Sequence, residues 1–132
     1  MKRLFVAVLA FALLGTASAC TDATGPGGAL AGTYSLQTVN GAQLPVRLCG
    51  TGFCYDVLSA EITLDANGNY QEISRYSDGN DSSTGYWTLS GSQLTLTDDG
   101  TGSATYATVS GNSLIFPDLF TGSNTISAVY TR

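Results

Sequence analysis

The chain has 132 residues, is 43% hydrophobic but only 11% charged, and sets five Lys/Arg against ten Asp/Glu with no histidine. That acidic balance repels phosphate backbones and leaves no basic stripe to reverse the repulsion, which argues against nucleic acid as a partner. The missing histidine removes the Ser-His-Asp and Cys-His arrangements of nucleophilic catalysis.

Residues 1–19 read as a secretory signal peptide. Lys2 and Arg3 supply the positive start, Leu4 to Leu14 the apolar run, and Gly15 to Ala19 the small-residue tail. Eleven apolar residues are too few for a spanning helix, which needs roughly 20. What remains is one domain's length of chain, with Arg47, Arg75 and Arg132 as its basic residues.

Cleavage can be read in two ways. Ala17-Ser18-Ala19 fits an ordinary A-x-A site, which would release a secreted or periplasmic protein. The same residues followed by Cys20 resemble a bacterial lipobox, whose cysteine is lipidated, although Ala17 stands where that pattern prefers Leu. Cysteine parity favours the lipid: of Cys20, Cys49 and Cys54, the last two are close enough in sequence to pair, leaving Cys20 for a thioether. Residues 20–29 are polar and Gly-rich, as a flexible tether to a membrane should be. The expected address is therefore the bacterial cell envelope, with the domain at 30–132 outside the cytoplasm and held by an N-terminal lipid anchor.

From residue 30 the chain repeats short alternating stretches punctuated by Gly or Asn. Gly32 to Asn40 alternates with Tyr34 and Leu36 on one face, and Asn40-Gly41 suits a type I′ turn. Val57 to Leu64 and Tyr70 to Tyr76 flank an Asp65–Asn69 turn. Ser77 to Thr84 reads as an exposed loop. Gly85 to Leu89, Gln93 to Thr97, Ala104 to Val109, Ser113 to Phe116 and Asn124 to Thr131 complete about eight strands. No helical period persists for three turns after the signal, so the fold class is all-β. Local hairpin order favours a small antiparallel up-and-down barrel, whose closure removes edge strands.

The frame Gly32-Thr33-Tyr34, Leu64-Asp65-Ala66-Asn67-Gly68-Asn69-Tyr70 and Gly85-Tyr86-Trp87-Thr88-Leu89-Ser90-Gly91-Ser92-Gln93-Leu94-Thr95-Leu96 resembles small bacterial lipocalin-like (calycin-type) lipoproteins. Gly32-Thr33-Tyr34 is similar to the G-x-W that opens lipocalins, with Tyr for Trp. The resemblance implies that Arg132 packs over Tyr34 at the closed barrel end. It also implies an interior that can take a small ligand.

Tyr34, Leu36, Ile62, Leu64, Tyr70, Trp87, Leu89, Leu94, Leu96, Tyr106 and Tyr130 are the residues expected to line or fill that interior. Cys49 and Cys54 read as a structural disulfide, with Phe53 and Tyr55 exposed beside it. The Asp65–Asn69 segment lacks the Glu that a calcium loop needs at its twelfth position, where Tyr76 sits, and reads as a turn, while Ser77–Ser83 could hold calcium but reads as a solvated hairpin tip, so no metal and no cofactor are expected. Asp98-Asp99 reads as a turn, and Glu61 and Glu72 are expected to face solvent, which leaves no catalytic residues and no enzyme. Two functions remain: a tethered barrel that binds a small apolar or amphipathic ligand, or a filled barrel that contacts another envelope protein, including a protease-inhibitor-like role.

Overall fold

A computed structural model of the chain describes residues 28–121 and 124–132. The expected signal peptide, Cys20 and most of the tether lie outside the described residues. These residues contain no helix and form ten strands: β1 (Gly32–Val39), β2 (Ala42–Gln43), β3 (Val46–Cys49), β4 (Cys54–Leu64), β5 (Asn69–Tyr76), β6 (Gly79–Ser90), β7 (Gln93–Asp98), β8 (Ala104–Ser110), β9 (Ser113–Thr121) and β10 (Asn124–Thr131).

Eight of them close an antiparallel barrel. β4 through β10 pair in sequence order, β10 pairs with β1, and β1 returns to β4 through Gly32↔Leu64 to Ser35↔Glu61. Beyond Ser35 the two closing strands part. There β2 pairs with β1 and β3 with β4, and Leu44 and Val46 pack on the core between them. Asn40 and Gly41 hold φ of 52° and 78°, the two positive angles of a type I′ hairpin between β1 and β2.

Bulges change the strict alternation. On β1 the ladder slips across Gln37, so Leu36 and Val39 both face inward at a spacing of three. Across Leu58 on β4 the same happens to Val57 and Ala60, and Leu58 itself is turned out to solvent. An extra residue bends a strand and tightens its twist, which a small barrel needs in order to curve.

The strands differ in height. β6 is twelve residues long because the segment expected as an exposed loop, Ser77 to Thr84, is mostly strand: only Ser77 and Asp78 make the turn, and Gly79 to Thr84 pairs with β5. β7 covers only the lower half of β6, pairing from Gly85↔Asp98 to Ser90↔Gln93. β8 and β9 pair only from Thr108↔Ile115 to Ser110↔Ser113. Continuing that register would place Pro117 opposite Tyr106 at a hydrogen-bonded position, and proline has no N–H to give. The β9 ladder to β10 slips at this point as well, between Phe116↔Ala128 and Leu119↔Ile126. The barrel wall is therefore low at the β7–β8 hairpin and tall at the β5–β6 and β9–β10 hairpins on either side.

Candidate functional site

The two ends of the barrel are built differently. At one end Tyr34, Leu64, Trp87, Leu94 and Leu114 are all nearly inaccessible to solvent. Full burial of such side chains contributes about 1.5–3 kcal/mol each. Their polar atoms are satisfied: the Tyr34 hydroxyl donates to the Leu30 carbonyl at 2.8 Å, and the Trp87 indole N–H donates to the Asp65 carbonyl at 3.0 Å. Arg132 closes this end from outside. Its guanidinium carbon lies 5.6 Å from the Tyr34 ring centroid, and Nη1 donates to the carbonyls of Ala29 and Ala31 at 3.3 and 3.0 Å. A Cβ on Gly32 would meet Arg132 Cδ at 2.9 Å, and Gly32 holds φ +148°, so the opening glycine both permits the strand entry and makes room for the arginine.

Toward the other end the interior is not filled. A cavity of about 410 Å³ is lined by apolar side chains that include Leu36, Val57, Ile62, Leu96, Phe116 and Ala128. Phe116 packs edge-on against Tyr130 with ring centroids 5.5 Å apart. Asp81, Ser82 and Ser83 of upper β6 also line it, together with Asp98, Thr101 and the Ser103–Thr105 segment around the β7–β8 turn. The cavity thus reaches the low part of the wall, between the tall hairpins.

One stretch of wall is polar. β5 turns Tyr70, Glu72, Ser74 and Tyr76 inward and leaves Ile73 exposed, reversing the usual pattern of an amphipathic strand. Glu72 Oε1 accepts from the Tyr130 hydroxyl at 3.3 Å and, at the long limit, from the Ser74 hydroxyl at 3.5 Å. Burial pushes the Glu72 carboxyl above its ordinary range, the two hydroxyls oppose that, and the charge of Asp81 adds to it. Burial likewise holds the Tyr130 hydroxyl well above the ordinary range, and the neighbouring Glu72 reinforces this. Asp98 behaves oppositely. Its carboxylate accepts from the Thr101 backbone N–H at 2.7 Å and the Thr101 hydroxyl at 2.9 Å, which lowers its pKa and keeps it charged.

The expected interior residues separate into three groups. Leu36, Ile62, Tyr70, Leu96 and Tyr130 line the cavity; Tyr34, Leu64, Trp87 and Leu94 fill the closed end. Leu89 and Tyr106 do neither, being 36% and 52% exposed. Leu89 shares the phase of Trp87 but sits at the end of β6 beside the turn, beyond the packed floor. For Tyr106 the register decides: Leu94↔Ala107 and Leu96↔Thr105 put Thr105 and Ala107 inward and the tyrosine between them outward.

Other expectations change as well. Glu61 is exposed, but Glu72 is turned into the barrel. The signal was present, since Glu72 is two residues from Tyr70 and shares its phase. Cys49 and Cys54 form a disulfide across the β3–β4 hairpin. Phe53 beside it is exposed, whereas Tyr55 is buried, with its ring edge-on to Tyr76 at 5.4 Å.

A family model described as a lipocalin-like domain matches residues 30–116. The match takes in the opening Gly32-Thr33-Tyr34, the polar wall of β5 and the lower part of β9. No curated protein and no solved structure matches the chain.

Proposed function

The chain belongs to the lipocalin-like domain family, and from that premise we propose that it is a binding protein holding one small apolar or amphipathic molecule inside its barrel. The observation that carries this reading is the cavity of about 410 Å³ behind a closed and fully packed floor. That volume falls within the roughly 300–1,000 Å³ range of small-molecule sites. A barrel whose role was only to present loops to a partner would gain stability by filling the space, since unfilled volume forfeits packing contacts. The low wall at β7–β8 is the route by which a ligand enters without the barrel opening its ladders.

The site is read as facing the extracytoplasmic side of a cell envelope, on a domain tethered through lipidated Cys20. The signal-like segment, the small residues before Cys20 and the pairing of Cys49 with Cys54 support that address. Intact mass of the membrane-extracted protein tests it: a chain beginning at Cys20 with added acyl mass is expected, and an unmodified chain would remove the anchor.

The binding reading is tested by titrating the isotope-labelled 30–132 domain with 1-octanol and following backbone amide shifts. Saturable shifts are expected in β1, β4, β5 and β10, and Ala128→Phe, which fills the cavity from its wall, should abolish them. Absence of saturable shifts in the folded wild-type domain would sink the reading.

A further inference from the structure

The cavity has a charge signature that its apolar walls do not explain. Its charged side chains are Glu72, Asp81 and Asp98, all acidic, and among the described residues neither Arg47, Arg75 nor Arg132 reaches it. They are also placed at different depths. Asp98, at the end of β7, lies at the low wall, and Asp81, on upper β6, lines the taller wall beside it. Glu72 sits inside, on the β5 wall, within hydrogen-bond distance of Tyr130 on the opposite strand of the closure. Both hydroxyl donors go to the same oxygen, Oε1.

A carboxylate withdrawn from water and held by hydroxyls alone is costly to ionise unless something positive meets it. Among the described residues no cation lines the cavity. Beside Glu72 stand the hydroxyls of Ser74 and Tyr130, the side chains of Tyr70 and Tyr76 and the carboxylate of Asp81, with the carboxylate of Asp98 elsewhere on the cavity lining. Two of these are themselves negative and repel any anionic head group at the entrance. A fatty-acid-type carboxylate would therefore pass two like charges and stop against a third. A protonated amine meets the reverse: attraction at the low wall, then a charge-assisted hydrogen bond to Glu72 inside, with its apolar body against Leu36, Ile62 and Phe116.

Resting on the reading of the cavity as a binding site, we infer that its ligand is a cationic amphiphile: a small apolar molecule bearing one primary or secondary amine, whose ammonium group is received by Glu72. Tyr130 positions the carboxylate by holding Oε1.

The test uses three probes of equal length and different head group: octylamine, 1-octanol and octanoate, titrated calorimetrically into the wild-type protein and Glu72→Gln at neutral pH. In the wild type octylamine is expected to bind about tenfold or more tighter than 1-octanol, and octanoate more weakly than either. In Glu72→Gln the advantage of the amine over the alcohol should shrink to about twofold. A second measurement needs no variant: as pH falls through the Glu72 pKa the wild-type ratio of amine to alcohol affinity should fall toward one. 1-octanol binding as tightly as octylamine, or an amine advantage that survives both Glu72→Gln and acidification, overturns the head-group inference while leaving the cavity reading intact. Failure of all three probes to bind overturns both.

Discussion

Arg132, the last residue of the chain, covers the ring of Tyr34 at 5.6 Å and donates to two carbonyls just before β1, at Ala29 and Ala31. The C-terminal strand is thereby tied to the segment that leads into the barrel, across the seam where β10 meets β1. Tyr34 answers from inside by donating to Leu30. The floor of the cavity is thus held by the two ends of the domain, which makes its integrity a property of the whole chain even though the family match ends at residue 116.

Removing this lock should loosen the floor without emptying the cavity. Arg132→Ala loses a cation–π contact and two charge-assisted hydrogen bonds at an exposed position, and is expected to cost about 1–2 kcal/mol. Arg132→Lys keeps a charge but not the planar fork, and should recover less than half of that. Urea denaturation of the three proteins checks this. Equal stability of Arg132→Ala and the wild type would show that the contact is incidental.

Glu72 gives the fold a pH dependence of known sign. Its folded pKa is raised above the reference value of 4.5, so folding shifts the group toward its protonated form. The stability this group contributes is fully present below its unfolded pKa and is lost as pH rises through the raised folded value. Ligand-free protein should therefore gain stability on mild acidification from neutral pH. In Glu72→Gln that gain should disappear, with the variant more stable than the wild type at neutral pH by about 1–2 kcal/mol. Asp98 has the opposite sign, because its depressed pKa costs stability only as pH falls below about its reference 3.8. Thermal melts between neutral pH and pH 4.5 isolate the first effect; a wild-type curve parallel to that of Glu72→Gln would refute it.

Residue phase explains which parts of this site were legible from sequence. Strands with regular alternation disclosed their inner faces: Ile62 and Leu64, Leu94 and Leu96, and Trp87 lie where their periodicity puts them. At Tyr106 size and phase disagree: a large ring suggests the interior, but the small residues on either side of it, Thr105 and Ala107, are the inward ones. At Glu72 polarity and phase disagree: a carboxylate suggests solvent, but Tyr70 two residues earlier fixes the inward phase. The height of β6 was hidden by composition: Gly79 to Thr84 is a run of turn-forming residues, yet it pairs with β5 along its whole length. The cavity itself is a volume shared among many strands, so no single segment carries its signal.

The disulfide should act locally. A six-residue loop closed by Cys49 and Cys54 restricts the unfolded chain little, and loop entropy sets its contribution at about 2 kcal/mol. The pair Cys49→Ser/Cys54→Ser is expected to lower stability by that amount or less while leaving 1-octanol binding unchanged, since neither cysteine lines the cavity. Guanidinium melts and the octanol titration on the double variant check both halves. A loss well beyond 2 kcal/mol would mean that the β3–β4 hairpin supports the barrel more than its peripheral pairing implies.

Pro117 controls the width of the opening. Were β8 and β9 to continue pairing, the proline would stand opposite Tyr106 with no N–H to offer, and the β9 ladder slips there against β10. Pro117→Thr restores a donor and a residue that suits a strand, so one further pair of hydrogen bonds between β8 and β9 should form. Hydrogen exchange of the Tyr106 amide is then expected to slow by about tenfold, the equivalent of one added hydrogen bond. Ligand dissociation should slow with it, because a longer β8–β9 ladder raises the low wall. Unchanged exchange at Tyr106 would assign the separation of these strands to the bulge and to Phe116 packing on Tyr130, with the proline only accommodated there.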